Sequence, residues 1–324
     1  MVVKHLVFGG GGPSCFLIYG AARELCNSNN YWNLKDIKSI YGCSSGAWIG
    51  FIISLGFEWD VVDDYLIKRP WEKMINIGPA ELINSFHTKG LVSSEFIINT
   101  IKPVLNAKDL DIECTFLDHF NLTNIELHFY TCDINTKSIS KVDLSYKTHP
   151  NLRIVDGLIM TMAVPILITP YICESSCYVD GGVLNNFPIQ DCIIQQNIDD
   201  DNEYLAFKAN WELNNNVLIN DESNLLQYVS QFIRKLTQFT SNLNVDNIDF
   251  LKNENVVICS MKDPGGPIGW IDVFINEEKR IEYINSGVES AKLFLSKKEL
   301  KNNENILDFE IEAESKIESI DYIS

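Results

Sequence analysis

Lys38-Ser39-Ile40-Tyr41-Gly42-Cys43-Ser44-Ser45-Gly46-Ala47-Trp48-Ile49 is the stretch that decides how this chain is read. Residues 38–41 form a short strand pattern, and the apolar run over 47–55 predicts a buried helix. Between them stands a Gly-x-Ser-x-Gly turn, Gly42 to Gly46. Chance copies of that pattern are common, and an ordinary tight turn carries it as well. Its position between a strand and an apolar helix is what a nucleophile elbow requires. Gly42 and Gly46 leave room for so sharp a turn. Ser44 then projects its hydroxyl from the tip, with a helix N-terminus behind it that favours developing negative charge. Ser44 is therefore the candidate nucleophile.

Upstream, Leu6-Val7-Phe8 reads as a first strand, followed by Gly9-Gly10-Gly11-Gly12-Pro13 and a helical segment over 14–26. Strand, helix, strand, helix in that order implies parallel strands joined by crossover helices, hence an α/β fold. Further buried-strand patterns lie at 126–131, 204–207 and 256–259, and a helix is expected over 152–162, ending before Pro165. Leu225, Val229, Phe232, Leu236 and Phe239 recur at helical spacing, as do Ile281, Ile284, Val288, Ala291 and Leu295. Both sets predict helices that bury one face in the core.

Four consecutive glycines cost backbone entropy and serve a close approach of the main chain to something. Cradling a phosphate is one use, but neither Gly-x-Gly-x-x-Gly nor Gly-Lys-Ser/Thr is present. An oxyanion hole of main-chain N–H groups is the better reading. Pro13 has no N–H, so Gly10, Gly11 and Gly12 are the candidate donors.

A serine nucleophile needs a base. His5, His87, His119, His128 and His149 sit in no recognisable catalytic context, and His149 is the nearest to a loop candidate. Asp180 stands in Tyr178-Val179-Asp180-Gly181-Gly182-Val183-Leu184-Asn185-Asn186-Phe187-Pro188, at the end of a strand pattern. Strand ends are where α/β sheets place their sites, and a carboxylate within reach of Ser44 could take its proton directly. Taken alone, Asp180 reads better as the capping residue of a Gly-Gly turn.

The three features together are more specific than any one. A Gly-rich loop, a Gly-x-Ser-x-Gly about 30 residues on and a later Asp-Gly-Gly resemble the pattern of the patatin-like phospholipases. The resemblance runs from about Val3 to Pro188 and more weakly to about Leu295. It takes in Phe8 to Gly12, Thr161-Met162-Ala163-Val164-Pro165 and the Asp-Gly-Gly-x-x-Asn-Asn-x-Pro run from Asp180. The Asn- and Ile-rich composition is similar to versions carried by large DNA viruses. The resemblance implies a three-layer α/β/α fold with a central, mainly parallel sheet. It also implies a lipid acyl hydrolase with a Ser44–Asp180 dyad, an oxyanion hole at Gly10–Gly12, a lipid substrate, and neither cofactor nor metal. In one place the chain departs from the pattern: Ser14 and Cys15 stand where the family carries a basic residue and a glycine. An ordinary Ser-His-Asp hydrolase and a non-catalytic lipid-binding relative are the two rival readings.

The rest of the composition bounds the partners. A net charge of −18 over 324 residues argues against nucleic acid, which needs clustered Lys and Arg, and against tight docking on strongly anionic membranes, so that contact with a membrane surface is expected to be transient. Nine cysteines, an odd number without metal-type pairing, fit free thiols in a reducing, cytoplasmic setting. No signal peptide or membrane-spanning run is expected. The chain reads as one domain over 1–298 followed by an acidic tail, 299–324, expected to be frayed or a weak edge element.

Overall fold

A computed structural model describes residues 2–27, 30–75, 78–212, 219–225, 227–229, 231–232, 235–236 and 255–321. In chain order the elements are β1 (His5–Phe8), α1 (Ser14–Asn27), β2 (Ser39–Cys43), α2 (Ser45–Ser54), α3 (Trp59–Lys68), α4 (Pro79–Thr88), β3 (Gly90–Val92), α5 (Glu95–Asn106) and α6 (Phe116–Thr123). There follow β4 (Glu126–Asp133), β5 (Ser140–Leu144), α7 (Ile154–Met162), β6 (Ile166–Ile168), β7 (Tyr171–Cys173), β8 (Ser176–Asp180), α8 (Ile189–Gln196), β9 (Tyr204–Glu212), β10 (Val256–Lys262), α9 (Gly266–Ile275) and α10 (Glu277–Asp321).

The main sheet runs β10-β9-β1-β2-β4-β8-β7, with β5 added along β4. From β10 to β4 every pairing is parallel, whereas β5, β7 and β8 pair antiparallel. Side chains alternate between faces, as strand geometry demands. Leu6, Phe8, Ile40, Phe129, Leu205 and Phe207 enter the larger core with α1, α2 and α10. Val7, Tyr41, Cys43, Tyr130, Tyr204 and Ala206 enter a second core closed by Ile189 and Cys192 of α8. Both faces of the parallel strands are covered, which explains their continuous apolar sequences and gives the three layers. β3 and β6 form a separate parallel pair.

Two expectations are corrected. Residues 225, 227–229, 231–232 and 235–236 are helical, but Leu225 is 72%, Phe232 54% and Leu236 47% exposed, so that periodic face is not core. Phe239 lies outside the described residues. The helix after Asn276 continues without a break at Lys298 through Asp321, so the acidic segment is neither a frayed tail nor an edge strand. Its buried side chains among the described residues are Arg280, Tyr283, Ile284, Ala291 and Phe294, in a face offset from the one anticipated, with Ile281 exposed. No described helix is long and apolar enough to cross a membrane.

Candidate active site

β2 ends at Cys43 and α2 begins at Ser45, so Ser44 alone makes the turn. It does so at φ 53° and ψ −130°, a conformation that costs a non-glycine residue about 1–3 kcal/mol. Its surroundings hold it there. The Ser44 carbonyl accepts the N–H groups of Ala47 (3.0 Å) and Trp48 (3.3 Å), and the Ser44 N–H donates to Thr161 Oγ1 at 2.9 Å. Thr161 in turn donates to the Tyr130 carbonyl. The two elbow glycines are explained by contact: a Cβ on Gly42 would lie 2.5 Å from Ala47 Cα, and one on Gly46 2.4 Å from the Phe8 carbonyl oxygen.

Asp180 reaches the elbow through β4. Tyr130 pairs with Cys43 on β2, and the adjacent Thr131 pairs with Asp180 on β8. The Asp180 N–H is fixed on the Ala163 carbonyl at 2.9 Å, just past the end of α7. Its Oδ1 accepts the Gly182 N–H at 2.7 Å and lies 3.9 Å from Cys43 Sγ. Oδ2 is buried and makes no hydrogen bond of ordinary length among the described residues. Burial raises the carboxyl from 3.8 to about 6, and the Ser44 hydroxyl is first among the groups that oppose the rise. Ser44 thus stands near this carboxylate, with no hydrogen bond of ordinary geometry between the two side chains. Gly181 follows because a Cβ there would meet the Tyr130 carbonyl oxygen at 2.2 Å.

The glycine loop lies against Ser44: a Cβ on Gly10 would be 3.0 Å from Ser44 Cβ. Its donors are not equivalent. Gly10 donates its N–H to the Asn186 carbonyl at 2.9 Å, while Asn186 Nδ2 donates back to the Gly10 carbonyl at 3.0 Å. The expectation of a free Gly10 donor is therefore corrected, since its N–H is spent on holding the loop. Gly11 and Gly12 make no N–H hydrogen bond to the described residues. Ser14 is fully buried and its hydroxyl has no partner among the described residues; it lies under Gly11, where a Cβ would meet Ser14 Oγ at 2.6 Å. Cys15 is a core residue whose thiol burial keeps neutral.

Ser44 opens on an apolar cavity lined by Gly12, Phe96 of α5, Met162 of α7, Leu167 of β6, and Trp270 and Phe274 of α9. No histidine lines it among the described residues. His5 bonds Ser39, His119 is buried on Ser54, and His87 is on exposed α4. His128 is held between Asp143 and Glu126 and stacks on Tyr41, and His149 bonds its neighbour Thr148. Thr161, Asn186 and Trp270 were not singled out as site residues from the sequence. The first two sit inside quoted motifs, while nothing local to Trp270 marks it.

A strained serine between a parallel strand and a helix, open to an apolar cavity, defines the class as that of the α/β ester hydrolases. Residues 6–193 match the model of the patatin-like phospholipases, and the chain belongs to that family of ester-hydrolysing enzymes. A relative from Invertebrate iridescent virus 6, named Probable lipid hydrolase 463L, is 28% identical over 270 residues, which cover 78% of this chain and 90% of that protein. Uncharacterized protein R571 of Acanthamoeba polyphaga mimivirus is 25% identical over 58% of this chain and 60% of its own length. Among solved structures, VipD from Legionella pneumophila superposes with a TM-score of 0.50 at 15% identity, over 91% of this chain and 67% of that one, a likeness of fold.

Proposed function

We propose that the chain is a lipid acyl hydrolase of phospholipase A type that works through a Ser44–Asp180 dyad. The observation that carries this reading is the strained Ser44 placed between the buried Asp180 carboxylate and an apolar cavity. Asp180 takes the Ser44 proton as Oγ attacks the ester carbonyl carbon. The N–H groups of Gly11 and Gly12 receive the oxyanion, each such donor being worth roughly 10²–10³ in turnover. The ester C–O bond then breaks, the leaving alcohol takes the proton from Asp180, and the acyl group stays on Ser44. Water, deprotonated by Asp180, attacks the acyl carbon; the bond to Ser44 Oγ breaks, Oγ takes the proton back from Asp180, and the fatty acid is released. The cavity receives the acyl chain, contact with the lipid surface is transient, and free thiols suit a cytoplasmic setting.

The test is fluorophosphonate labelling followed by ester-release assays with and without chelator. Labelling should vanish in Ser44→Ala, and turnover should vanish in Asp180→Asn while chelator leaves it unchanged. Full turnover in Asp180→Asn with loss in His149→Ala would instead indicate an ordinary triad. A wild type that binds lipid without labelling would indicate a binding protein.

A further inference from the structure

Against a net charge of −18, residues 68–108 carry six Lys or Arg and three Glu. Three of these cations share one open cleft: Arg69 after α3, Lys73, and Lys102 on α5, with Asn99, Asn106 and Met74 beside them and no acid in the lining. None of the three makes an ion pair with a described residue. Arg69 is fixed in advance. It stacks over Tyr65 and Trp71 and donates Nη2 to the Asn99 carbonyl at 2.7 Å. The cleft adjoins the apolar cavity of Ser44. Met74 lines the one and Ile75 the other, and on α5 Phe96 lines the cavity while Asn99, one turn on, lines the cleft.

Helix α4 is tied by short connections to two residues of the cavity wall. It begins four residues after Ile75 and ends four residues before Val92, and both of these line the cavity. Four residues reach at most about 14 Å, so α4 cannot lie far from the cavity. No residue of α4 is buried. Leu82, Ile83 and Phe86 share one side of it, with Ile83 72% and Phe86 83% exposed. A short helix with an uncovered apolar side beside unpaired cations suits the boundary of an anionic lipid layer.

We propose that Arg69, Lys73, Lys102 and helix α4 together dock the enzyme on anionic phospholipid, Leu82, Ile83 and Phe86 entering the lipid while the Arg69–Lys73–Lys102 cleft takes a headgroup phosphate. The proposal rests on the acyl-hydrolase reading, since it places the mouth of the acyl cavity on the lipid surface. The net negative charge of the remaining surface then favours release, so docking is local and reversible.

Vesicle flotation with the full chain, carrying Ser44→Ala to keep the lipid intact, tests it. Binding to phosphatidylcholine vesicles should rise when phosphatidylglycerol is included. Lys73→Gln with Lys102→Gln should remove roughly 25-fold of that binding, at about fivefold per basic residue. Phe86→Asp should lower binding to both kinds of vesicle. With Ser44 restored, both variants should hydrolyse a soluble butyrate ester at the wild-type rate and unfold at the wild-type temperature. Unchanged flotation of these variants overturns the proposal. So does inorganic phosphate binding that is lost in the lysine double variant while vesicle binding stays. Failure of the hydrolase reading would show in the butyrate assay, failure of docking in flotation alone.

Discussion

Cys43 and Asp180 meet end to end along one edge of β4, where Tyr130 pairs with the first and Thr131 with the second. β5 occupies the other edge over Phe129 to Asp133, so parallel β2 and antiparallel β8 run head-on along the edge they share. Neither can continue, and each chain leaves the sheet at its next residue. Ser44 turns into α2, and Gly181 opens a short 3-10 turn. Ser44 and Asp180 are brought together by strand register, at positions 136 apart in sequence.

Thr161 locks this junction, accepting the Ser44 N–H and donating to the Tyr130 carbonyl. Thr161→Val removes both bonds while keeping the shape. The elbow should relax by a fraction of an ångström. Misplacement of this kind can cost about 100-fold, so kcat should fall about 10- to 100-fold with KM little changed. Thr161→Ser should restore most of the rate. Steady-state kinetics on a soluble ester checks this, and a KM effect with unchanged kcat would remove Thr161 from the positioning of Ser44.

Asp180 titrates near 6 because burial penalises its charge. As the base it must be ionised, so kcat/KM should fall as pH drops below about 6, with no second limb from a histidine. Stability should run the other way. The folded-state value lies above the unfolded one of 3.8, so the folded state holds the extra proton between the two, and stability falls as pH rises through that window. Asp180→Asn should therefore be more stable than wild type at pH 8, by about 2–3 kcal/mol at 1.36 kcal/mol per pH unit. That advantage should shrink towards pH 4. Denaturant unfolding at the two pH values measures it.

α1 and α10 cross at Gly20 and Gly287. A Cβ on Gly20 would stand 2.1 Å from the Ile284 carbonyl oxygen, and one on Gly287 2.0 Å from that of Leu17. Because both obstacles are backbone, the helices must separate to admit a methyl group. Gly20→Ala and Gly287→Ala should each cost about 1–3 kcal/mol or more, overpacking outweighing the gain in helix propensity. Equilibrium unfolding reads the loss; a stabilised variant would mean that this crossing is not closely packed in solution.

The legible parts of the chain were those fixed by local chemistry. The apolar run Leu6-Val7-Phe8, the turn at Gly42 to Gly46 and the glycine run each state their backbone geometry in a few residues. β5 is half-polar, and β3, β6 and β7 have three residues each, so none carries a clear period. The exposed side of the 225–236 segment shows the limit of periodicity, which reports that a helix has an apolar face and not what covers it. Gly10 shows the same limit at the site. A run of glycines announces free N–H groups, but only the fold reveals that Asn186 takes one of them.

The cavity makes the last prediction quantitative. Its wall beyond Ser44 is apolar, from Phe96 through Leu167 to Phe274. Each acyl methylene that it covers should contribute up to about 0.8 kcal/mol, close to fourfold in kcat/KM, until the chain outgrows the cavity and the increments stop. Leu167 lies on β6, in the wall and away from the elbow. Leu167→Trp should shorten the limit, leaving butyrate hydrolysis near wild type while lowering kcat/KM for long-chain esters by tenfold or more. Phe96→Ala, on the facing helix, should move the limit to longer chains. A chain-length series of soluble esters on the three proteins decides the matter. Parallel losses at every length would mean that the acyl chain lies elsewhere, since a substitution in its path must discriminate by length.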